Sequence, residues 1–426
     1  MSSLPVGYRV CARSVRRPPS PVSEPNPRSL HIMVGLKMQP RRRQPGNPNA
    51  RSRRPYLIAA FIFVAWWIFT TPRFDKPYQH RITVNDVRLK LPRLDFSSGR
   101  DHAGWYDSES ARRFCRGHGY DVFRPSSTSG ARKVYDLFMV NSELDHLEVR
   151  LDTLYDFVDY FIIVEAPKTF QGRDKPLVIS DNWERFKRFH PKMIYHKLEY
   201  PKGFKPTQAW DYEDLQRNAM FDQVLTRLSG PKAPEPGDAI IVADLDEIPR
   251  PTTALVLRTC AFPRRLTLAS KFYYYSYQYL HKGPEWPHPQ ATYYEGKRST
   301  IRPTNLRNGD GGLPFLRDLD KATLSNAGWH CSGCFSTISG FLNKMASFSH
   351  QWMNEAQYRN EDRIAEAVRE GRDLWNRETV RFTRIEGNLD VPPILKDGDA
   401  ADRERLRYML DRDGLSAGFT DYPKDE

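Results

Sequence analysis

Three runs in this chain are apolar almost without interruption: "KVYDLFMVN" (133–141), "VDYFIIVEA" (158–166) and "GDAIIVAD" (237–244). A strand with one wet face alternates apolar and polar residues. A strand that is apolar throughout is buried on both faces. Helical patterns lie between these runs. Leu144, Leu147, Leu151 and Leu154 repeat at helical spacing, with Ser142 placed to cap them. Phe221, Val224, Leu225 and Leu228 mark a helix in 213–228, and Ile364, Ala367 and Val368 mark another in 360–374. "MIYHKLEY" (193–200) and "RLTLASKFYYYSYQYL" (265–280) read as further strands. Buried strands alternating with helices predict an α/β sandwich around a mostly parallel sheet. Ligands of such sheets bind beyond the carboxyl ends of the strands.

The third run ends in an unusual way. Ala239 to Ala243 lead straight into Asp244, Asp246 and Glu247, and Pro249 and Pro251 stop the strand. Uncompensated, three carboxylates this close raise one another's pKa. A divalent cation resolves the conflict. Two hard oxygen ligands side by side suit magnesium or manganese, which accept one or two carboxylates plus diphosphate oxygens. The bland alternative is a solvated acidic loop capping the next helix. "VEAPKTFQGRDKPL" (164–177) offers Glu165 at a strand end, Lys168, Arg173 and Lys175 for phosphate, and Gly172 for close backbone approach. Arg217, early in a helix, is a second diphosphate candidate. His330 is a metal ligand, a phosphate contact or a core histidine. The aromatics of "KFYYYSYQYL" and "EWPHP" (285–289) suit sugar faces or plain packing.

Charge excludes one class of partner. Formal net charge is +13, but residues 1–55 hold twelve Lys and Arg against Glu24 alone, which leaves +2 for the other 371 residues. A nearly neutral body does not track nucleic-acid phosphates. The basic segment, rich in Pro, Ser and Arg, reads as a disordered cytoplasmic tail. Residues 56–71, "YLIAAFIFVAWWIFTT", carry no charge, Gly or Pro. At 1.5 Å per residue they span about 24 Å, enough for a single transmembrane helix in a thin bilayer. Arg51, Arg53 and Arg54 place its start on the cytoplasmic side. A cleaved signal peptide is the rival reading. The expected layout is tail 1–55, anchor 56–71, stem 72–132 and luminal catalytic domain 133–426, a type II membrane protein. Cys115, Cys260, Cys331 and Cys334 are then luminal, with three possible pairings into two disulfides. The Cys331–Cys334 CxxC lacks further ligands at zinc spacing. No Asn-x-Ser/Thr triplet occurs, so no N-glycan is expected on this chain.

Four stretches together carry a resemblance: residues 134–177 from "VYDLFMVNSELDHLEVRLDTLY" to "KPL", then "QRNAM", "IIVADLDEIPRP" and "GWHCSGCF". They resemble glycosyltransferase family 17 over residues 134 to about 385. The resemblance implies a GT-A-type nucleotide-sugar-binding fold, Golgi residence and UDP-N-acetylglucosamine as donor. It implies an inverting N-acetylglucosaminyltransferase of N-glycan processing, acting on a mannose-containing, N-linked glycan. It implies that Asp244 and Asp246 hold a divalent metal, for which manganese is the expectation, against the diphosphate. By position, Glu247 stands beside them, Glu165, Lys175, Arg217 and Asp244 are the candidates for the donor, and His330 is one for a further metal ligand. Inversion needs a general base; Asp310, Asp320 and Glu355 are the candidates. Gly333 stands where the family often has a bulky aromatic. Residues 281–327, where acceptor contacts usually lie, do not align with the family pattern. The alternatives are the same fold with another nucleotide sugar, or a non-catalytic luminal glycan-binding protein.

Overall fold

A computed structural model of this chain describes residues 82–83, 102–124, 131–313, 317 and 319–423. The basic segment 1–55 and the apolar segment 56–71 lie outside them. Among the described residues no helix is long and apolar enough to cross a membrane. Contacts divide the chain into Met1–Arg73 and Phe74–Glu426. The sheet, its helices and the cleft all belong to the second unit.

One sheet orders its strands β1 (Ile82–Thr83), β12 (Lys321–Ser332), β9 (Arg265–Tyr274), β11 (Gln290–Tyr293), β6 (Ala239–Asp244), β3 (Val134–Val140), β4 (Tyr160–Glu165) and β5 (Met193–Lys197). Off this path, β7 (Glu247–Pro249) pairs with β12, β10 (Ser276–His281) with β9, and β13 (Phe382–Arg384) with β10. A separate ribbon joins β2 (Asp121–Val122) to β8 (Cys260–Ala261). The principal helices are α1 (Glu109–Gly117), α2 (Leu144–Leu154), α3 (Ala209–Ala219), α4 (Pro251–Thr259), α5 (Pro303–Asn308), α6 (Ile338–Ser347) and α7 (Glu361–Glu370).

The expected mostly parallel sheet is corrected to a mixed one. β6, β3, β4 and β5 are parallel, and so are β9 and β12. β11 joins the two blocks and runs antiparallel to both β6 and β9. The cause is local. Only β10 and the short link 282–289 separate β9 from β11, and a parallel return needs a crossover of roughly a dozen residues or more.

The apolar runs are two-sided, as their composition requires. Phe138, Phe161, Ile163 and Ile241 pack with Leu147, Leu151 and Leu154 of α2 and with α4. Their neighbours Leu137, Ile162, Val164 and Ile240 pack on the other face with Phe221, Val224 and Leu225. That second helix starts at Ala209, closed by a Gln208/Asp211 capping box, and widens over Met220–Val224. Ile364, Ala367 and Val368 of α7 enter a third cluster. Ser142 does not cap α2. Its hydroxyl is buried without a partner, its backbone N–H donates to the Glu143 carboxylate (2.8 Å), and Glu143 occupies the cap position.

The domain begins before residue 133. Within the stretch expected to be stem, Phe114 and Cys115 of α1 join the main core, and Trp105 Nε1 donates to Thr259 Oγ1 at the end of α4 (3.1 Å). Of the three possible cysteine pairings the structure has Cys115–Cys260 and Cys331–Cys334. The first closes a loop of 145 residues. Long loops lose most entropy when cross-linked, so Cys115→Ser/Cys260→Ser should lower unfolding stability by ~2–5 kcal/mol in urea titration. An unchanged midpoint would show that α1 is held by packing alone.

Candidate active site

β6 ends at Asp244 in the body of the sheet, and after Leu245 and Asp246 the chain re-pairs as β7 against Gly328–His330 of β12. This sharp transfer from one block to the other exposes a turn at the carboxyl end of β6. One residue shapes it. Arg150 of α2 is fully buried, and its guanidinium grips Asp136 of β3 through Nε (2.8 Å) and one terminal nitrogen (2.6 Å). The other terminal nitrogen donates to the backbone carbonyls of Asp244 (3.2 Å), Leu245 (3.3 Å) and Glu247 (2.7 Å). Three carbonyls converging on one donor hold the turn rigidly. The sequence signal for this pair is a lone acid inside an apolar strand and a lone base on the leucine face of α2.

Breaking a buried ion pair by removing one partner costs ~3–5 kcal/mol. Arg150→Met should therefore destabilise by about that much, and the double variant Asp136→Leu/Arg150→Met should recover most of the loss. Activity should not return in the double variant, because the turn carbonyls still lack their donor. Urea unfolding and transfer rate, measured side by side, separate the two roles.

The three acids have different surroundings. Asp244 Oδ1 accepts from Arg217 of α3 (2.9 Å) and Oδ2 from Arg307 of α5 (2.7 Å). Arg217 also holds Glu213 (2.9 Å). Glu247 is 0% exposed. It accepts from both terminal nitrogens of Arg307 (2.8 and 2.9 Å), from Trp286 Nε1 (2.6 Å) and from the Asp244 N–H (2.9 Å). Burial alone would raise both carboxyls. The Arg307 guanidinium, joined at Asp244 by Arg217, outweighs it and holds Asp244 below and Glu247 well below the usual range. Asp246 differs. Its nearest basic groups are the His330 ring nitrogen Nδ1 at 3.6 Å and the Lys344 ammonium at 4.0 Å, both beyond hydrogen-bond length.

Lys344 of α6 also pairs with Glu143. Burial would raise the Glu143 carboxyl, but the ammonium overrides it and holds it at about 2. Further bonds draw the end of α6 and the following residues across a cleft: Asn141 Nδ2 to Ser347 Oγ (2.7 Å), Gln171 Nε2 to the Phe348 carbonyl (2.7 Å) and Ser349 Oγ to Glu213 (2.6 Å). The cleft lies beyond the ends of β3, β4 and β6, lined among others by Asn141, Lys168, Lys175, Gln216, Asp244 and Phe348.

Asp244, Asp246, Glu247, Arg217, Lys175 and His330 thus gather at one place. Glu165 stands apart. It is fully buried at the end of β4, accepting from Tyr195 (2.9 Å), the Ile179 N–H (3.3 Å) and Lys175 (3.5 Å), and is not part of the cleft wall. Gly172 approaches a side chain closely; a Cβ there would meet Tyr212 Oη at 2.7 Å. Arg173 donates to the Ala346 carbonyl. None of the three base candidates joins the acidic turn. The Asp310 carboxylate is 64% exposed and pairs with Arg317; Asp320 accepts from the Arg264 N–H just before β9, at the far end of the sheet; Glu355 is exposed and holds Gln357.

Arg307, Glu213, Glu143, Lys344 and His288 were not legible as site residues; Trp286 was legible only as an aromatic for a sugar face, and the structure has it donating to Glu247. Burial drives His288, close enough to Glu247 to feel its charge, down to about 4. His330 forms a triangle of rings with Phe272 and Trp286, centroids 4.9–5.4 Å apart, and its Nδ1 lies 3.3 Å from the Asp246 carbonyl.

The charge balance bears on a cation. The carboxylates of Asp244, Asp246, Glu247, Glu213 and Glu143 face the fixed cations Arg217, Arg307 and Lys344, leaving two negative charges in excess. Asp246, free of close partners, fits a hard divalent ion as a direct oxygen ligand. Asp244, with both oxygens held by guanidinium groups, fits as a direct ligand only if one arginine turns to the diphosphate. Among the described residues, the one group of three such ligands within 4.8 Å is His146, Cys331 and Cys334, whose cysteines are disulfide-bonded.

A family model for glycosyltransferase family 17 matches residues 101–392. The β-1,4-mannosyl-glycoprotein 4-β-N-acetylglucosaminyltransferase of Homo sapiens is 28% identical over 318 residues, covering 66% of this chain and 55% of that one. Its Mus musculus counterpart is 27% identical over 263 residues, covering 56% and 48%. The chain thus spans about half the length of the curated relatives it matches. A solved mannosyltransferase, PcManGT from Pyrobaculum calidifontis in complex with GDP-Man and Mn2+, shares 12% identity at a TM-score of 0.29, covering 72% of this chain and 81% of that one. That is a loose likeness.

Proposed function

Because the chain belongs to glycosyltransferase family 17, we propose that it transfers N-acetylglucosamine from UDP-N-acetylglucosamine to a mannose-containing N-linked glycan. The observation that carries this reading is the rigid acidic turn Asp244–Glu247 at the mouth of a cleft beyond the parallel strand ends. Strand ends are where α/β sheets take nucleotides. Lys175, Arg217 and Arg307 supply the positive side of a diphosphate site. Asp246, with Asp244 behind it, would hold manganese, which when bound supplies Lewis-acid stabilisation of the departing UDP.

The protein's own residues do the rest. Arg150 keeps the turn from shifting, Arg307 prevents Asp244 and Glu247 from repelling each other, and Glu247 anchors Trp286 beside the turn. Glu247 itself is fully committed to those contacts and acts as a positioning group. The segment 344–349 forms one wall of the cleft and is tied across it by Asn141, Gln171 and Glu213. Two disulfides suit an oxidising compartment. They support Golgi-luminal residence behind the 56–71 anchor, as a type II protein.

A donor panel tests the reading. Residues 73–426 are incubated with UDP-N-acetylglucosamine, UDP-galactose and GDP-mannose, with and without manganese. Manganese-dependent hydrolysis of UDP-N-acetylglucosamine, and transfer from it to an N-glycan core, are expected. Preference for another donor would move the reading to a different sugar. Glycan binding with no turnover of any donor would favour a non-catalytic luminal protein.

A further inference from the structure

Among the described residues, two tryptophans are exposed: Trp210 at 42% and Trp352 at 45%. They lie near each other in the fold. Trp210 is on α3, the helix that sends Glu213 and Gln216 into the cleft wall, and its ring meets His350 edge-on at 5.3 Å. His350 in turn meets Phe348, itself a cleft residue, at 5.1 Å. Trp352 follows two residues on, in the turn Gln351–Asn354. Ring contacts therefore lead from the cleft residue Phe348 through His350 to Trp210, and the exposed Trp352 lies two residues along the chain from His350.

A single exposed indole is ordinary, but aromatic rings grouped at the edge of a cleft are the kind of apolar patch that marks a binding surface. The segment that carries His350 and Trp352 is uncharged. From His350 to Asn354 it offers an imidazole, two amides, a tryptophan and a methionine, with no carboxylate and no fixed cation. An anionic nucleotide is served by Lys175, Arg217 and Arg307 deeper in. A neutral polyhydroxy ligand with flat C–H faces suits the rim, because pyranose rings stack on indole while amides and imidazole reach their hydroxyls.

Resting on the transferase reading above, we infer that Trp210 and Trp352, with His350 between them, bind the acceptor glycan. They would stack on mannose-containing rings flanking the one that is glycosylated, and so set which glycans are accepted. The residues are acceptor-binding residues and touch neither the donor nor the acidic turn.

The test uses Trp210→Ala, Trp352→Ala and the double variant of the full-length protein, with an N-glycan core glycopeptide as probe. Acceptor KM should rise about tenfold for each tryptophan removed, the usual scale for an aromatic anchor. kcat at saturating acceptor, KM for UDP-N-acetylglucosamine and acceptor-free donor hydrolysis should stay unchanged. An unchanged acceptor KM in the double variant overturns the inference and leaves the transferase reading intact. A rise in donor KM instead assigns the rim to the nucleotide and also overturns it. If the parent protein turns over no donor, glycopeptide binding without donor or metal, followed by calorimetry, decides. Loss of binding in the double variant supports the rim as a glycan site, and equal binding overturns it.

Discussion

Asp246→Ala should abolish nearly all transfer while leaving the domain folded. Asp246 is the acid of the turn whose carboxylate has no hydrogen-bond partner, the His330 ring standing at 3.6 Å and the Lys344 ammonium at 4.0 Å. Its negative charge is thus left for an incoming cation. If that ligand is worth ~3–4 kcal/mol in the transition state, the rate falls ~10²–10³-fold. Thermal stability should change little, since the carboxylate makes no hydrogen bond and its only fixed cation, Lys344, stands at 4.0 Å. Asp244→Ala should look different. Sequence reasoning expects that deletion to relieve repulsion, but the structure shows Asp244 bridging Arg217 and Arg307. Its removal leaves two guanidinium groups without their common acceptor. Activity should again be lost, now with about 1–3 kcal/mol of stability. Chelation should silence the parent enzyme and manganese restore it. An Asp246→Ala protein fully active in EDTA would sink the metal role.

Arg307→Leu is the second large effect. It leaves Glu247, 0% exposed, with only Trp286 and a backbone N–H. Removing one side of a buried ion pair costs ~3–5 kcal/mol. The turn also loses the bridge that keeps Asp244 and Glu247 together, so activity should fall at least ~10²-fold, more than ~2.7 kcal/mol. Arg307→Lys should not rescue it, because one ammonium cannot fork across both carboxylates. The pH dependence has a definite sign. In the parent, Glu247 is depressed well below its ordinary value. Its stabilisation is present above the unfolded pKa, ~4.3, and is lost as pH falls through the folded value. Without Arg307, burial raises Glu247 above the unfolded value, so the variant gains relative stability on acidification. The gap between the two proteins, measured by urea unfolding, should narrow as pH drops from 7 towards 4. A gap independent of pH would mean that Arg307 acts through packing alone.

Legibility in the sequence divides at particular residues. Asp244, Asp246 and Arg217 were legible because each sits in or beside a periodic element: a strand end that must become polar, a helix whose apolar face is counted. Arg307 was not, since it lies in 281–327, where no periodicity leads to the sheet; Trp286, in the same stretch, was legible as an aromatic but not as the donor to Glu247. Glu165 misled for the opposite reason. Its place at a strand end is the right kind of place, but the Tyr195 hydroxyl and the Ile179 N–H turn its carboxylate away from the cleft.

The sequence by itself determined what depends on near neighbours. Unbroken apolar runs require strands covered on both faces, and leucines at helical spacing require α2 to lie on one of them. The acids after Ala243 and the prolines at 249 and 251 force a polar turn at a strand end. Only the tertiary structure decided what depends on distant partners. It set β11 antiparallel between two parallel blocks, paired Cys115 with Cys260, and brought Arg307 from 63 residues away to Asp244. It also spent Glu247 on that arginine and left Asp246 open. A residue's spacing predicts which face it takes. Its charge partner is selected by whichever distant segment packs there, and desolvation then makes that pairing obligatory.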